Sequence, residues 1–289
     1  MRILSLLITS AALVVGPLLH AGDILVKNGE TVAFLGDSIT AGGAASPGGY
    51  VRLVASGLAA QGIDITVIPA GIGGHKSNQM LQRLESDVLS KKPDWMTLSC
   101  GVNDVWHGER GVSLEDYKKN ITEILDRCEK AGVKVLVLTA TQIKLPVTSP
   151  DNVKLEGYNA FLREIAKARK LPLADLNANM AAEQAALEEA GIKRVLTTDG
   201  VHMNLYGNLM MAKGVLGAFG LDEAQISAAQ AAWNEVPGLF QTSAKIKLSL
   251  KELATLEAYA ASRQKSVETV INELSTAAVD EVLKAAPAQ

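Results

Sequence analysis

Five stretches of the chain are almost continuously apolar: Thr31–Gly36 (TVAFLG), Ile63–Pro69 (IDITVIP), Asp94–Cys100, Val133–Ala140 (VKVLVLTA) and the shorter Leu171–Asp175. None alternates cleanly between apolar and polar residues, which is the pattern of strands buried on both faces of a parallel sheet. Between them the spacing becomes helical, over Tyr50–Ala60, Asn78–Leu89, Leu114–Ala131, Asn152–Arg169 and Asn204–Phe219. Leu114–Ala131 shows it best, with Tyr117, Ile121, Ile124, Leu125 and Cys128 along one stripe. Strands alternating with helices predict an α/β sandwich with a central parallel sheet. Ligands bind outside the carboxyl ends of such strands. Attention therefore falls on the loops after Leu35, Pro69 and Cys100.

Composition narrows the function class. The 289 residues are 48% hydrophobic and 20% charged, with a net charge of −3, so the chain is a packed globular protein and not a polybasic nucleic-acid binder. Two cysteines cannot build a disulfide scaffold or a cysteine zinc site. Cys100 and Cys128 read as buried free thiols. At the N-terminus, Arg2 precedes a run from Ile3 to Leu19 without a charge, and the first acidic residue is Asp23. Residues 1–22 thus read as a secretory signal peptide cleaved near Ala21 or Gly22, placing the mature protein in the periplasm or outside the cell. An uncleaved anchor is the alternative, at the short limit for a spanning helix.

Each inspected loop carries polar or flexible residues that an apolar strand end does not need. After the first strand comes Gly36-Asp37-Ser38-Ile39-Thr40, after the second Gly71-Ile72-Gly73-Gly74, and after the third Gly101-Val102-Asn103-Asp104. Late in the chain lies Asp199-Gly200-Val201-His202. Ser38 at a strand-to-helix turn can present its hydroxyl at a helix N-terminus, and a serine there serves equally as an N-cap. His202 can exchange a proton with such a hydroxyl, and Asp199, three residues earlier, can hold the imidazole. The backbone N–H of Ser38, the N–H of Gly74 and the Asn103 side-chain amide can together stabilise an oxyanion. Gly73-Gly74 is also compatible with a plain turn, and Asn103 with local backbone bonding.

Taken together, GDSIT, the glycine loop ending in Gly74, GVND and DGVH resemble the four blocks of the SGNH (GDSL-type) hydrolase family, in its order, over about Gly22–Gly220. The resemblance implies a three-layer α/β/α, flavodoxin-like sandwich and a serine esterase that needs neither cofactor nor metal. Ser38 matches the nucleophile, His202 the base and Asp199 its orienting carboxylate; Gly74 and Asn103 match the oxyanion donors. Asp37 and Asp104 read as structural support. The family often places proline after the histidine, where this chain has Met203. The implied substrate is a small-molecule or glycan ester, with a short acyl group such as acetyl on carbohydrate preferred. A lysophospholipase, a general aryl or alkyl esterase, an acyltransferase and a silent binding protein are the other readings. Trp106 and His107, directly after GVND, are candidate substrate contacts, and Ala41–Gly49 (AGGAASPGG) reads as a mobile pocket rim.

Residues 23–220 thus form the expected hydrolase domain and 221–289 a mainly helical extension. In the extension, Leu221–Trp233 reads as helix, Lys245–Leu250 (KIKLSL) as a strand, and Lys251–Arg263 and Ser266–Lys284 as two further helices. Strand, helix, helix is similar to a ribbon-helix-helix module, which would pair its strand with a second copy and make a homodimer through residues 245–284. From residue 241 onward there are six Lys/Arg and six Asp/Glu, a neutral balance that argues against nucleic-acid binding.

Overall fold

The computed structural model describes residues 23–193, 195–236, 238–239 and 246–285. The expected signal peptide, residues 1–22, lies outside them. The chain divides into two compact units between residues 240 and 241.

The first unit runs β1 (Thr31–Gly36), α1 (Ser38–Ala45), α2 (Tyr50–Ala59), β2 (Thr66–Gly71), α3 (Ser77–Asp87), β3 (Trp95–Ser99), α4 (Val102–Trp106) and α5 (Leu114–Lys130). It continues with β4 (Lys134–Leu138), α6 (Pro150–Ala168), β5 (Leu173–Ala174), α7 (Leu176–Glu189), α8 (Leu205–Ala218) and α9 (Glu223–Asn234). The strands form one parallel sheet in the order β2-β1-β3-β4-β5, with helices around it. Phe34, Leu35, Met96, Leu98, Leu136 and Val137 in the three inner strands are wholly buried, which is why those strands read as unbroken apolar runs. The edge strand β2 accommodates Pro69, which a central strand would reject for its missing N–H. Strand direction reverses its lateral progress between β1 and β3, so a crevice opens at the carboxyl ends of those two neighbours.

One expectation needs correction within this unit, and one helix was not expected. Ala41–Gly49 is no mobile rim throughout, because α1 runs to Ala45. Asp37 caps it by accepting the Ile39 N–H at 2.9 Å, and Gly43 is a place of close approach. A Cβ on Gly43 would lie 2.5 Å from the Tyr50 ring, so a small residue there lets α1 and α2 meet. The 14-residue helix α7 was not evident in the sequence. Its buried residues are only Leu176, Met180 and Leu187, set among alanines and polar residues, too weak a stripe to mark a helix.

Helix α9 belongs to this unit through Trp233, which is buried and donates its indole N–H to Ser56 Oγ at 3.0 Å. A Cβ on Gly57 of α2 would lie 2.7 Å from Leu216 of α8 and 3.1 Å from the Trp233 ring. The three helices therefore converge on a residue without a side chain.

In the second unit the expected strand is absent among the described residues. Ile246–Ser249 has no strand structure, Ser249 caps α10 (Leu250–Ser262) by accepting the Glu252 N–H, and Leu250 is already helical; Lys245 lies outside the described residues. The physical reason is the Ser249–Glu252 capping box, which ends the alternating pattern after three residues. Helix α11 (Val267–Ala285) follows, and Ser266 accepts the Thr269 N–H at its start. The ribbon-helix-helix resemblance is not supported, and the dimer through residues 245–284 loses the strand on which it rested. Among the described residues no helix is long and apolar enough to cross a membrane.

Replacing Trp233 with alanine removes both the indole packing and its bond to Ser56. The expected cost is about 3–5 kcal/mol in denaturant unfolding monitored by circular dichroism. A cost below about 1 kcal/mol would show that α9 is dispensable to the fold.

Candidate active site

Ser38 is the first residue of α1, directly after β1. Its N–H is among the amides that a helix start leaves without an intrahelical partner. His202 comes from the loop that precedes α8 and reaches Ser38 across 164 residues of chain, with Nε2 2.9 Å from Ser38 Oγ. Its Nδ1 lies 2.6 Å from Asp199 Oδ2. The same aspartate accepts the backbone N–H groups of Val201 and His202 on Oδ1, at 3.0 and 2.8 Å. One carboxylate therefore folds the loop and orients the ring that the loop carries. These bonds, first that from the His202 side chain, hold Asp199 down to about 2, so it stays ionised at neutral pH.

Asn103 sits in α4, at the end of β3 beside β1. Its Nδ2 donates to Asp37 Oδ2 at 3.1 Å and to the His75 carbonyl at 3.3 Å. Both N–H groups are thus engaged within the protein, the second by a long bond that a better acceptor can displace. Asp37 is fully buried, and desolvation pushes its carboxyl up to about 6. Asp104 next door is also raised by burial, although Ser77 donates to it from both its N–H and its hydroxyl. Asn120 in turn donates to Ser77 Oγ at 3.0 Å. The two aspartates expected to be supports thus link three loops: Asp37 joins β1 to β3, and Asp104 joins β3 to α3.

Of the glycine loop after β2, Gly71 packs on the backbone of Thr40 and Ala41, and a Cβ on Gly73 would lie 3.9 Å from Ser38 Cβ. Gly74 adopts φ +74°, a backbone that glycine reaches at least cost. It is the residue after the one that approaches Ser38. Trp106 and His107 lie at the end of α4, half-buried, with ring centroids 6.0 Å apart. The Lys144 ammonium sits 5.7 Å from the Trp106 ring centroid, and the Lys144 N–H donates to Gly200 at 2.7 Å. Lys144 thereby bridges the predicted substrate contact and the loop of Asp199 and His202.

Sequence reasoning missed Lys144 and Arg83. Lys144 lies beyond the carboxyl end of β4, a place the parallel-sheet rule marks as readily as the three loops that were inspected. Arg83 is a buried cation whose guanidinium donates to Gly36 and Ala70, at the ends of β1 and β2, each at 2.8 Å, and to His75 Nδ1 at 3.1 Å. Its only sequence sign was a charge beside Met80 and Leu84 on the apolar face of α3. Burial and the Arg83 charge both lower the His75 pKa. Among the described residues there is no cluster of three or more His, Cys, Asp or Glu that could hold a metal ion.

Residues 34–209 match the model of the GDSL-like lipase/acylhydrolase family. The chain belongs to that family. An acetylxylan esterase of Geobacillus stearothermophilus is 27% identical over 220 residues, covering 68% of this chain and 97% of the relative. A crystal structure of that enzyme superposes with a TM-score of 0.61 at 27% identity, again over 68% and 97% of the two chains. The crystal structure of the acetyl xylan esterase AlAXEase is 33% identical, with a TM-score of 0.60 over 65% of this chain and 98% of its own. The thioesterase 1/protease 1/lysophospholipase L1 of Escherichia coli is 27% identical over 182 residues, 61% of this chain and 76% of that protein. This GDSL-family protein is a hydrolase acting on ester bonds.

Replacing Asp37 with asparagine retains an acceptor for Ile39 but sets one amide against another at Asn103. The expected result is a fall in kcat of about 10–10²-fold with ester substrates. Stability has the opposite sign. A carboxyl whose folded pKa lies above its unfolded value weakens the fold when ionised, and the penalty fades as pH falls through about 6. Relative to wild type, Asp37→Asn should gain about 2 kcal/mol on going from pH 4 to pH 7.5 in urea unfolding. An unchanged kcat, or a stability difference flat in pH, would contradict the assignment.

Proposed function

We propose that this esterase removes short acyl groups, acetyl foremost, from carbohydrate through an acyl-serine intermediate, and that it works after export. The observation that carries the chemistry is the unbroken chain Ser38–His202–Asp199, with contacts of 2.9 and 2.6 Å. His202 Nε2 takes the proton from Ser38 Oγ as Oγ bonds to the ester carbonyl carbon. The imidazolium is stabilised by the ionised Asp199. The carbonyl oxygen becomes an oxyanion and accepts from the Ser38 N–H, the Gly74 N–H and Asn103 Nδ2. Asn103 exchanges its 3.3 Å contact with His75 for this bond while that to Asp37 keeps the amide in place. The carbon–oxygen bond to the alcohol then breaks, and His202 delivers the proton to the leaving oxygen. Water, deprotonated by His202, attacks the acyl carbon and restores Ser38 with release of the acid.

Preference for acetyl on carbohydrate is supported by the acetylxylan esterases among the similar proteins. The half-buried Trp106, with Lys144 against its ring, suits contact with a sugar ring, with His107 beside it. Export is supported by the charge pattern of residues 1–22. The presence of every side chain the mechanism uses speaks against a silent binding protein.

Hydrolysis of p-nitrophenyl esters from acetate to decanoate, by wild type and Ser38→Ala, tests the reading. Acetate should be the best substrate. Ser38→Ala should lose at least about 10³-fold in kcat, and Asp199→Asn a similar factor, with unchanged circular dichroism. Rates that climb with chain length would replace the glycan reading by a lipid esterase. Equal rates for wild type and Ser38→Ala would end the acyl-serine mechanism.

A further inference from the structure

Arg83 on α3 is a buried cation that the mechanism does not use. Burying a guanidinium is costly unless its donors are met. Nη2 donates to the Gly36 carbonyl and Nη1 to that of Ala70, each at 2.8 Å, and Nη1 also pairs with Asp87 at 2.9 Å. Those bonds serve the fold, since they satisfy a buried cation and two strand-end carbonyls. A further bond does not: Nε donates at 3.1 Å to Nδ1 of His75, a half-buried side chain whose ring could bond to water instead.

His75 directly follows Gly74, and its backbone carbonyl accepts from Asn103 Nδ2 at 3.3 Å. Gly36 precedes Ser38 by two residues. One guanidinium therefore holds the chain next to each group assigned to the oxyanion: ahead of Ser38 through Gly36, after Gly74 through His75, and at Asn103 through the His75 carbonyl. Arginine suits the task because its planar fork fixes the direction of each N–H, which a lysine ammonium would not. Burial, then the Arg83 charge, holds the His75 pKa below the ordinary imidazole value. The ring is thus neutral at neutral pH, and Nδ1 keeps its lone pair for Nε. Resting on the acyl-serine reading, we propose that Arg83 and His75 are positioning residues of the reaction. Their Nε–Nδ1 bond sets the Gly74–His75 turn, so that the Gly74 N–H and the Asn103 amide are aimed at the oxyanion before substrate arrives. Donors preset in this way act as charge develops on the carbonyl oxygen. Releasing the turn therefore lowers kcat and leaves KM in place.

The test uses the full chain as wild type, His75→Ala, His75→Asn and Arg83→Met. Asparagine puts an amide oxygen near the place of Nδ1 and so restores the acceptor. Each protein is assayed with p-nitrophenyl acetate and inhibited with 1,1,1-trifluoro-2-butanone. Ser38 Oγ adds to the carbonyl carbon of that ketone, the serine proton passes to His202 Nε2, and the ketone oxygen becomes an oxyanion with no leaving group to expel. His75→Ala should lose about tenfold in kcat with KM within about twofold, and should bind the ketone about tenfold more weakly. His75→Asn should return kcat and ketone affinity to within about threefold of wild type. Arg83→Met should lose at least as much kcat, and adding His75→Ala to it should cost less than about twofold more, as for two ends of one bond. Should Arg83→Met fail to fold, the His75 variants decide. Wild-type kcat and ketone affinity in His75→Ala, a His75→Asn as slow as His75→Ala, or a lowered melting temperature with unchanged ketone affinity would overturn the positioning role. Ser38→Ala, assayed alongside, reports separately on the acyl-serine reading, which wild-type rates in that variant would end whatever the His75 variants do.

Discussion

The buried carboxylate of Asp37 holds the ends of two neighbouring strands together at the point where the sheet changes direction. One oxygen accepts the Ile39 N–H and so starts α1 with Ser38 at its first position; the other accepts from Asn103 at the end of β3. Ionisation there is expensive, since burial raises the group to about 6. The cost stabilises a geometry and not the fold: it sets the helix start and the side-chain amide beside one another, where an oxyanion would need both. Arg83 does related work from the other side, drawing the carbonyls of Gly36 and Ala70 toward one guanidinium. The pull of that cation on two strand ends and the push of the glycine-lined approach at Gly71 fix where α1 begins relative to β2.

Carboxylates in this site therefore divide by environment. Asp37 and Asp104 are buried, raised, and spend their oxygens on holding loops. Asp199 is solvent-exposed, is lowered to about 2 by the bonds it accepts, and supplies the negative charge next to His202. The separation follows from burial and hydrogen-bond count alone. The same side chain thus has different states in one site: two aspartates are buried among loop bonds, and the third stays ionised and accessible beside His202.

Much of this was legible before the structure. The inner strands read as unbroken apolar runs because helices cover them on both sides, and β1 falls at Thr31–Gly36 as expected. Ser38, Asn103, Asp199 and His202 stood out because each follows a strand or precedes a helix and carries polar chemistry that the core has no use for. What stayed hidden was tertiary in origin. Gly43 of α1 is where Tyr50 packs against the helix, and composition alone cannot distinguish close packing from looseness. Helix α7 lacks a stripe because few of its residues are buried. The alternation in KIKLSL was a local pattern overruled by the cap at Ser249. Arg83 and Lys144 act through partners distant in sequence, which no local pattern reveals.

The claim on which the account turns is that Ser38 is the group His202 activates. Intact-mass and peptide mass spectrometry after incubation of the full chain with a fluorophosphonate addresses it directly, because such a reagent phosphonylates only a serine made nucleophilic by its surroundings. The account predicts a single adduct, on the peptide carrying Ser38, that is absent from His202→Ala. Labelling at another residue, or equal labelling in His202→Ala, would contradict it.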